Sequence, residues 1–414
     1  MPSILPRRAL RFLALSGVLT MPLMAAITPS AAAQEAPAAD QPAADAVVTF
    51  ADGRDSSGWL PFEMKDNVRI FIPATVNGRS VKVMLDSGAS ATVLDRRFVA
   101  SLGLKSVGDL TAEGSGGAGQ YGVVEGVVIK LGDLTITGGE NVGVDLQQLE
   151  KVLHHPLPMV LGGAAFEKTV VDIDFANRRI AFRDPARFRA PQDMRSVALF
   201  PAGDNRAIDM EIEGRRARML FDLGNAWPAV LYPRFWDNAA FLKGRSVSST
   251  LSGGWGGMHS EGMTRLRDVR LAGATFSGVP SPLKGVRTDN ERSGELDGNV
   301  GMPLFSRFRL VIDFPHQRVL FGSPADTATP FESNTSGLAL EAADGGATIR
   351  HVAVASPAAG AGLKVGDVIA RVQDARTGEV IPVTSRWTRG PAGRELQLTL
   401  SDGRNVVLRS AEYF

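Results

Sequence analysis

The sequence predicts a mainly β fold made of two similar lobes, followed by a smaller β-rich unit. A chain of 414 residues is too long for one ordinary core. Its 45 Gly and 24 Pro favour a protein rich in turns over a helical bundle. Residues 69–182 and 207–321 share the same markers in the same order. A repeat of this length indicates two units of the same construction.

The first 33 residues have the features of an export signal. Arg7, Arg8 and Arg11 precede an apolar stretch over residues 12–27, which is followed by a run of small residues. We expect cleavage before Gln34 and a periplasmic or secreted protein with no stable membrane anchor. A membrane anchor is the alternative, but polar residues and a proline interrupt the stretch. A charge follows the arginine pair where a twin-arginine signal has an apolar residue, so the export route stays open.

Residues 34–58 are predicted to be a flexible linker. Their first part, up to Ala46, consists largely of Ala, Pro, Asp and Glu without apolar periodicity. Such a composition cannot bury enough surface to order itself.

Charge and cysteine content limit the classes of partner and cofactor. The formal net charge is +1, with 45 basic and 44 acidic residues, so neither nucleic acid nor an anionic membrane is expected as a partner. The sequence contains no Cys, which excludes disulfides, thiolate chemistry and Cys-based zinc sites. No metal or other cofactor is expected.

The repeat places one aspartate at the same position in each half. Asn77-Gly78 is followed eight residues later by Asp86, and Glu213-Gly214 is followed eight residues later by Asp222. Each aspartate ends an apolar, β-type run. The later markers are a glycine, an aspartate 12 residues on and a phenylalanine eight residues beyond it: Gly162, Asp174 and Phe182 in the first half, and Gly301, Asp313 and Phe321 in the second. We interpret Asp174 and Asp313 as structural turn residues.

Two such halves would bring Asp86 and Asp222 together across a pseudo-two-fold axis. Two carboxyl groups in contact cannot both ionise at low cost, so one holds a proton while the other activates a water. Gly88 and Gly224, each two residues after its aspartate, would let the backbone approach and donate to the carboxylate. The Ser87 hydroxyl would brace the opposite half.

The phrase Asp86-Ser87-Gly88-Ala89-Ser90 resembles the Asp-Thr/Ser-Gly signature of pepsin-like and retropepsin-like aspartic proteases. Val160-Leu161-Gly162 resembles their hydrophobic-hydrophobic-Gly partner. The resemblance implies two fused retropepsin-like lobes, over residues 59–190 and 195–322. It also implies endopeptidase activity through a water held between two aspartates, with a peptide or protein as substrate.

The second half departs from this signature at two positions. Leu223 replaces the hydroxyl residue, and Asn299 stands where an apolar residue belongs. A missing hydrogen bond beside a buried carboxylate costs on the order of 1–3 kcal/mol and can misplace the pair. Three alternatives therefore stay open: an active protease, a non-catalytic peptide-binding protein on the same scaffold, and two chains that pair through Asp86. For Asp86 taken alone, a fourth alternative is that Asp86-Ser87-Gly88 is an ordinary turn without a catalytic role.

Each half also has a glycine-rich stretch between its aspartate and its glycine, at residues 114–119 and 253–257. Their matched placement predicts flaps that close over a ligand, and flexible hairpin loops are the alternative. The flap candidates are Gly116, Gly117, Tyr121, Gly254 and Trp255.

Other hydrolase and metal chemistries fit poorly. The first histidine of the chain is His154, so the His, Asp, Ser order of trypsin-like enzymes around Ser87 is impossible. His154 and His155 lack the helical spacing of a zinc motif and are interpreted as a surface loop.

The last part of the chain, residues 336–410, resembles a PDZ domain. The resemblance rests on Ser356-Pro357-Ala358 followed by Ala361-Gly362-Leu363 and Gly366-Asp367-Val368-Ile369. It implies that a peptide, often through its C-terminal carboxylate, adds as a strand. A packed β unit with an unused groove is the alternative. The residues expected to hold the peptide are Gly337, Leu338, Ala339 and Leu340.

Overall fold

The computed structural model describes residues 45–114, 116–285 and 295–414. The expected signal peptide and residues 34–44 of the expected linker lie outside the described residues. The described chain is mainly β, which confirms that part of the fold prediction. No helix within those three ranges is long and apolar enough to cross a membrane.

The first half contains fourteen strands and three short helices among its described residues. The strands are β1 (Val47–Phe50), β2 (Leu60–Pro61), β3 (Glu63–Lys65), β4 (Arg69–Val76), β5 (Arg79–Leu85), β6 (Thr92–Asp95), β7 (Ser106–Gly114), β8 (Gly117–Val124), β9 (Val128–Leu131), β10 (Leu134–Thr137), β11 (Asn141–Val144), β12 (Met159–Leu161), β13 (Val170–Asp174) and β14 (Arg179–Arg183). The helices are α1 (Arg96–Ser101), α2 (Gln147–Leu153) and α3 (Ala164–Glu167), and a 3-10 turn covers Ala51–Gly53.

The second half and the remainder are also built from strands. The strands of the second half are β15 (Arg195–Ala202), β16 (Asn205–Ile212), β17 (Arg215–Asp222), β18 (Ala229–Leu231), β19 (Ser248–Gly254), β20 (Gly257–Leu271), β21 (Ala274–Leu283), β22 (Gly298–Gly301), β23 (Leu310–Asp313) and β24 (Arg318–Phe321). Those of the C-terminal unit, residues 336–410, are β25 (Leu338–Ala343), β26 (Gly346–Val352), β27 (Val368–Asp374), β28 (Val380–Ile381), β29 (Glu395–Leu400) and β30 (Asn405–Arg409). The helices are α4 (Pro233–Trp236), α5 (Ala239–Leu242), α6 (Met302–Phe305) and α7 (Pro357–Gly360), with a 3-10 turn at Phe314–His316.

A parallel strand pair positions the aspartate of each half. β5 pairs in parallel with β12, and the Asp86 amide, directly after β5, donates to the carbonyl of Leu161 at 3.0 Å. β17 pairs in parallel with β22 in the same way, so that Asp222 lies opposite Gly301. Leu85 and Leu161 of the first pair and Phe221 and Val300 of the second are buried in one continuous core. The strand that ends at each aspartate is therefore held by pairing along both of its edges and by the packing of its buried side chains.

The two halves share a central sheet, which the sequence did not predict. β13 and β14 were expected within lobe 1, but β13 pairs with β23, with Val171 opposite Ile312. They belong to a 13-stranded sheet with the strands of the second half, while β1 and β3–β12 form a separate sheet of eleven. Every residue of β13 and of β23 is buried, so neither strand can serve as an exposed edge.

The expected linker over residues 34–58 is wrong in its second part. β1 is an ordered strand that pairs with β10, with Val48 opposite Ile136. Ser57 is buried, and its hydroxyl oxygen accepts from the amide of Phe182 at 2.9 Å. The tether composition ends before Val47, where alternating apolar residues give the chain enough surface to bury.

The C-terminal unit has its own six-stranded sheet and its own core, around Ile349, Ile369 and Leu398. Among the described strands β25 pairs only with β26, so it lies at the edge of this sheet. The unit contacts both halves of the chain. Arg386 donates to the backbone oxygen of Asp66, and the Ser249 hydroxyl oxygen lies 3.0 Å from His351 Nε2.

The contact at His351 gives the docking of this unit a pH dependence. Burial lowers the pKa of His351 below its ordinary value of 6.5, although the contact with Ser249 partly opposes this. A folded-state pKa below the unfolded one means that docking with a half-buried, neutral imidazole is fully stable above pH 6.5 and is weakened as the pH falls below it, because protonation of the buried ring is costly. We expect the protection factor of the Val354 amide, which donates to Ser249, to fall below that pH once the exchange rate is divided by its intrinsic value. In His351→Gln this fall of the protection factor with pH should disappear, and an unchanged profile would refute the assignment.

Candidate active site

The two aspartates that end the repeated strands both lie in turns that supply backbone donors. Asp86 Oδ1 accepts from the amide of Gly88 at 2.8 Å. Asp222 Oδ1 accepts from the amides of Gly224 at 2.7 Å and Asn225 at 3.1 Å. Backbone donors of this kind hold each carboxylate in one orientation.

The two turns pack against each other reciprocally. A Cβ added to Gly88 would lie 2.6 Å from Cγ of Asp222, and one added to Gly224 would lie still closer to the carboxyl group of Asp86. Each glycine thus lies in contact with the carboxyl group of the other half. Asp222 is also close enough to Asp86 to raise the pKa of its carboxyl group. The structure brings Asp86 and Asp222 together as a pair.

Ser87 joins the halves directly beneath this pair. Its hydroxyl accepts from the amide of Leu223 at 2.9 Å and donates to the carbonyl of Phe221 at 3.2 Å. The matching side chain, Leu223, is fully buried in the apolar core and has no hydroxyl. The brace between the halves is therefore made by one serine, from one side.

Asn299 makes a polar contact that sequence reasoning missed. We expected an apolar residue at this position, and its amide instead donates to Asp222 Oδ2 at 2.7 Å. Asn225 holds this amide in place, because its Nδ2 donates to Asn299 Oδ1 at 2.9 Å. The sequence contained a signal for this contact. Asn299 directly precedes Val300-Gly301, and these residues lie in β22, the strand that pairs with β17. The equivalent residue of the first half, Val160, has no side-chain donor.

These contacts distinguish the two carboxyl groups electrostatically. Burial, followed by the neighbouring Asp222, raises the pKa of Asp86 well above its ordinary value of 3.8, against the opposing effect of the Gly88 and Ala89 amides. Asp222 has the additional donor from Asn299. Asp86 is therefore the carboxyl group suited to hold a proton, and Asp222 is the one that accepts hydrogen bonds from Gly224, Asn225 and Asn299.

The two glycine-rich stretches are hairpin tips that meet. The Gly116 amide donates to the carbonyl of Trp255 at 2.9 Å, and His259 Nε2 lies 2.5 Å from the Gly116 carbonyl oxygen. A Cβ on Gly114 would lie 2.6 Å from the Trp255 ring, so the absence of side chains makes room for the indole. Of the other flap candidates, Gly117 and Gly254 lie at these tips. Tyr121 lies further along β8, buried opposite Leu110.

A cavity of about 810 Å³ connects the aspartate pair to the C-terminal unit. Asp86, Asp222 and the hairpin residues Ser252 and Gly253 line it on one side. Of the residues expected to hold a peptide, Leu338, Ala339 and Leu340 of β25 line it on the other, and Gly337 does not. Several arginines that the sequence gave no reason to select also line it. Within the described residues, no group of His, Asp and Glu side chains could hold a metal ion.

Comparison with known proteins supports the aspartic-protease class. A family model described as aspartyl protease matches residues 72–163. The matched segment contains Asp86-Ser87-Gly88 and Gly162, and it ends before Asp222. No curated protein matches the chain. The match supports a protease-like function on the strength of the first half.

The reciprocal glycine contacts can be tested by adding a single methyl group. Gly88→Ala and Gly224→Ala would each force a Cβ against the opposite carboxyl group, so we expect a loss of about 1–3 kcal/mol in the free energy of unfolding, measured by denaturant titration. Gly360→Ala is the matched control, because nothing lies within 4 Å of its added Cβ. If all three variants unfold at the same denaturant concentration, the close contact is wrong.

Proposed function

We propose that this protein is an exported aspartic endopeptidase whose catalytic residues are Asp86 and Asp222. The reciprocal packing of Gly88 against Asp222 and of Gly224 against Asp86 carries the proposal. Such packing fixes two carboxyl groups in contact, which is the arrangement that water-activating hydrolysis requires.

The chemistry divides between the two carboxyl groups. Asp222 accepts a proton from a water molecule as the water oxygen forms a bond to the carbonyl carbon of the peptide. Asp86 donates its proton to the carbonyl oxygen, which becomes a hydroxyl group of the tetrahedral intermediate. The C–N bond then breaks, the amine takes the proton held by Asp222, and a hydroxyl proton returns to Asp86. No proton is gained or lost by the pair over the cycle.

The surroundings of the pair suit an extended peptide. The hairpin of β19 and β20 contributes Ser252 and Gly253 to the cavity lining, and its tip is bonded to Gly116 of the first half. In this proposal the joined hairpins would exclude water from the reacting bond. The C-terminal unit, in its PDZ-like role, would recruit a substrate or partner peptide along β25, whose residues line the same cavity.

A non-catalytic peptide-binding protein is the second candidate. The one-sided brace favours it, since Leu223 offers no hydroxyl to match Ser87. Pairing of two chains through Asp86 is less favoured, because Asp222 occupies the space beside Gly88 that a second Asp86 would need.

Substitution of the pair separates these functions. We expect Asp86→Asn and Asp222→Asn each to reduce kcat/KM for peptide hydrolysis by at least about a hundredfold, because neither variant can pass the proton on. Asp109→Asn, an exposed change in the same half, should keep full activity. Peptide binding without cleavage by the unsubstituted chain would favour the second candidate, and equal hydrolysis by all variants would exclude Asp86 and Asp222.

The raised pKa of Asp86 predicts the alkaline limb of the pH profile. Hydrolysis requires Asp86 to be protonated, and its pKa lies well above 3.8, so activity should persist above that pH and fall as the pH rises through the raised value. The measurement is kcat/KM as a function of pH for the unsubstituted chain. A profile that already declines at pH 3.8 would show that Asp86 does not hold the proton.

A further inference from the structure

The cavity beside the aspartate pair carries an excess of positive charge. Its lining includes six cationic side chains and four carboxyl groups. Two of those four carboxyl groups are Asp86 and Asp222 themselves. The six cationic residues are Lys65, Arg69, Lys284, Arg350, Arg386 and Arg389.

Three of these cations have carboxylate partners. Lys65 lies 3.6 Å from Asp66, Arg350 pairs with Glu341, and Arg386 pairs with Glu332. A fourth, Lys284, lies over the ring of Tyr232.

Arg69 and Arg389 differ from the other four. Among the described residues, neither guanidinium group has a hydrogen bond or an ion pair, although both are half-buried. Arg69 begins β4 in the first half. Arg389 belongs to the C-terminal unit and lies 5.5 Å above the ring of Trp227, from the second half. The two cations thus come from different parts of the chain and face one cavity.

The neighbouring carboxyl groups compensate these two cations only in part. Burial lowers the pKa of Arg69 and of Arg389, and the neighbouring Arg386 lowers both further. Asp66 acts on both in the opposite direction, as do Asp86 on Arg69 and Glu332 on Arg389. Asp66 already lies within 4 Å of Lys65 and Arg386, and Glu332 pairs with Arg386. An anion in the cavity would relieve the cost of holding two desolvated cations together.

We propose that Arg69 and Arg389 form a carboxylate-binding subsite, which holds an acidic side chain or the C-terminal carboxylate of the peptide in the cleft. The proposal rests on the proposed function for the peptide as ligand. Two guanidinium groups can bind a carboxylate through paired N–H donors, and Trp227 limits the orientations open to one of them. Because the subsite is shared between the first half and the C-terminal unit, it is complete only when that unit is docked.

Binding measured without turnover tests this proposal apart from catalysis. The full chain carrying Asp86→Asn is titrated with fluorescein-labelled extended peptides in matched versions. One comparison replaces each Glu by Gln, and the other replaces the C-terminal acid by an amide. We expect about tenfold tighter binding of the version that carries the recognised carboxylate, as for a charge-assisted hydrogen bond in a half-buried site. The Glu and Gln comparison identifies a side chain as the source, and the acid and amide comparison identifies the chain end.

Charge-removing variants then locate the site. Arg69→Gln and Arg389→Gln should each abolish most of the tenfold preference, whereas Arg350→Gln, which removes the same charge from an ion-paired arginine of the same cavity, should keep it. Thermal unfolding checks that each variant is folded. If one is not, the peptide comparisons in the Asp86→Asn chain still decide. Equal binding of all peptide versions overturns the proposal. An equal loss of the tenfold preference in all three arginine variants overturns it as well. Absent hydrolysis together with a preserved preference would refute only the protease function.

Discussion

The structure depends on the contact between two glycines and two carboxyl groups. Gly88 and Gly224 must each lie against the aspartate of the other half, so the turns that carry them have to meet without any intervening side chain. The parallel pairs β5/β12 and β17/β22 hold these turns from below, and the central sheet through β13 and β23 holds the halves at a fixed separation. The packing of the core, the pairing of the strands and the hydroxyl of Ser87 all stabilise this contact.

The pair is symmetric in its backbone and asymmetric in its side chains. The first half supplies the hydroxyl that crosses between the halves, and the second half supplies the amide of Asn299 that holds Asp222. Ser87 bonds a carbonyl and an amide of the second half, so those two buried backbone groups have a side-chain partner although Leu223 offers none in return. The loss of the hydroxyl at Leu223 is accompanied in the same half by a donor that gives the two carboxyl groups different hydrogen-bond partners.

The sequence allowed the mainly β class to be predicted, and it identified the aspartates that the structure brings together, because both follow from local patterns and a repeat. The contacts that it did not predict join distant residues. Asn299 reaches Asp222 across 77 positions, and Arg69 and Arg389 line the same cavity only because the C-terminal unit docks there. The assignment of β13 and β14 failed for a related reason, since the sequence of a strand that is buried along its whole length does not show which neighbouring half it pairs with. The strand at Val47–Phe50 was missed because the polar segment before it obscured where order begins.

The joined hairpin tips connect the two halves at a second place besides the aspartate turns. The Gly116 amide bonds to the Trp255 carbonyl, so β7 and β8 of the first half are tied to β19 and β20 of the second. A single hydrogen bond of this kind contributes only about 1 kcal/mol, so the tips can part and rejoin. Rejoining is intramolecular, because the contact at the aspartates keeps the tips at a high effective concentration while they are apart. Two weak joints in one chain therefore hold the halves together more firmly than either joint would alone.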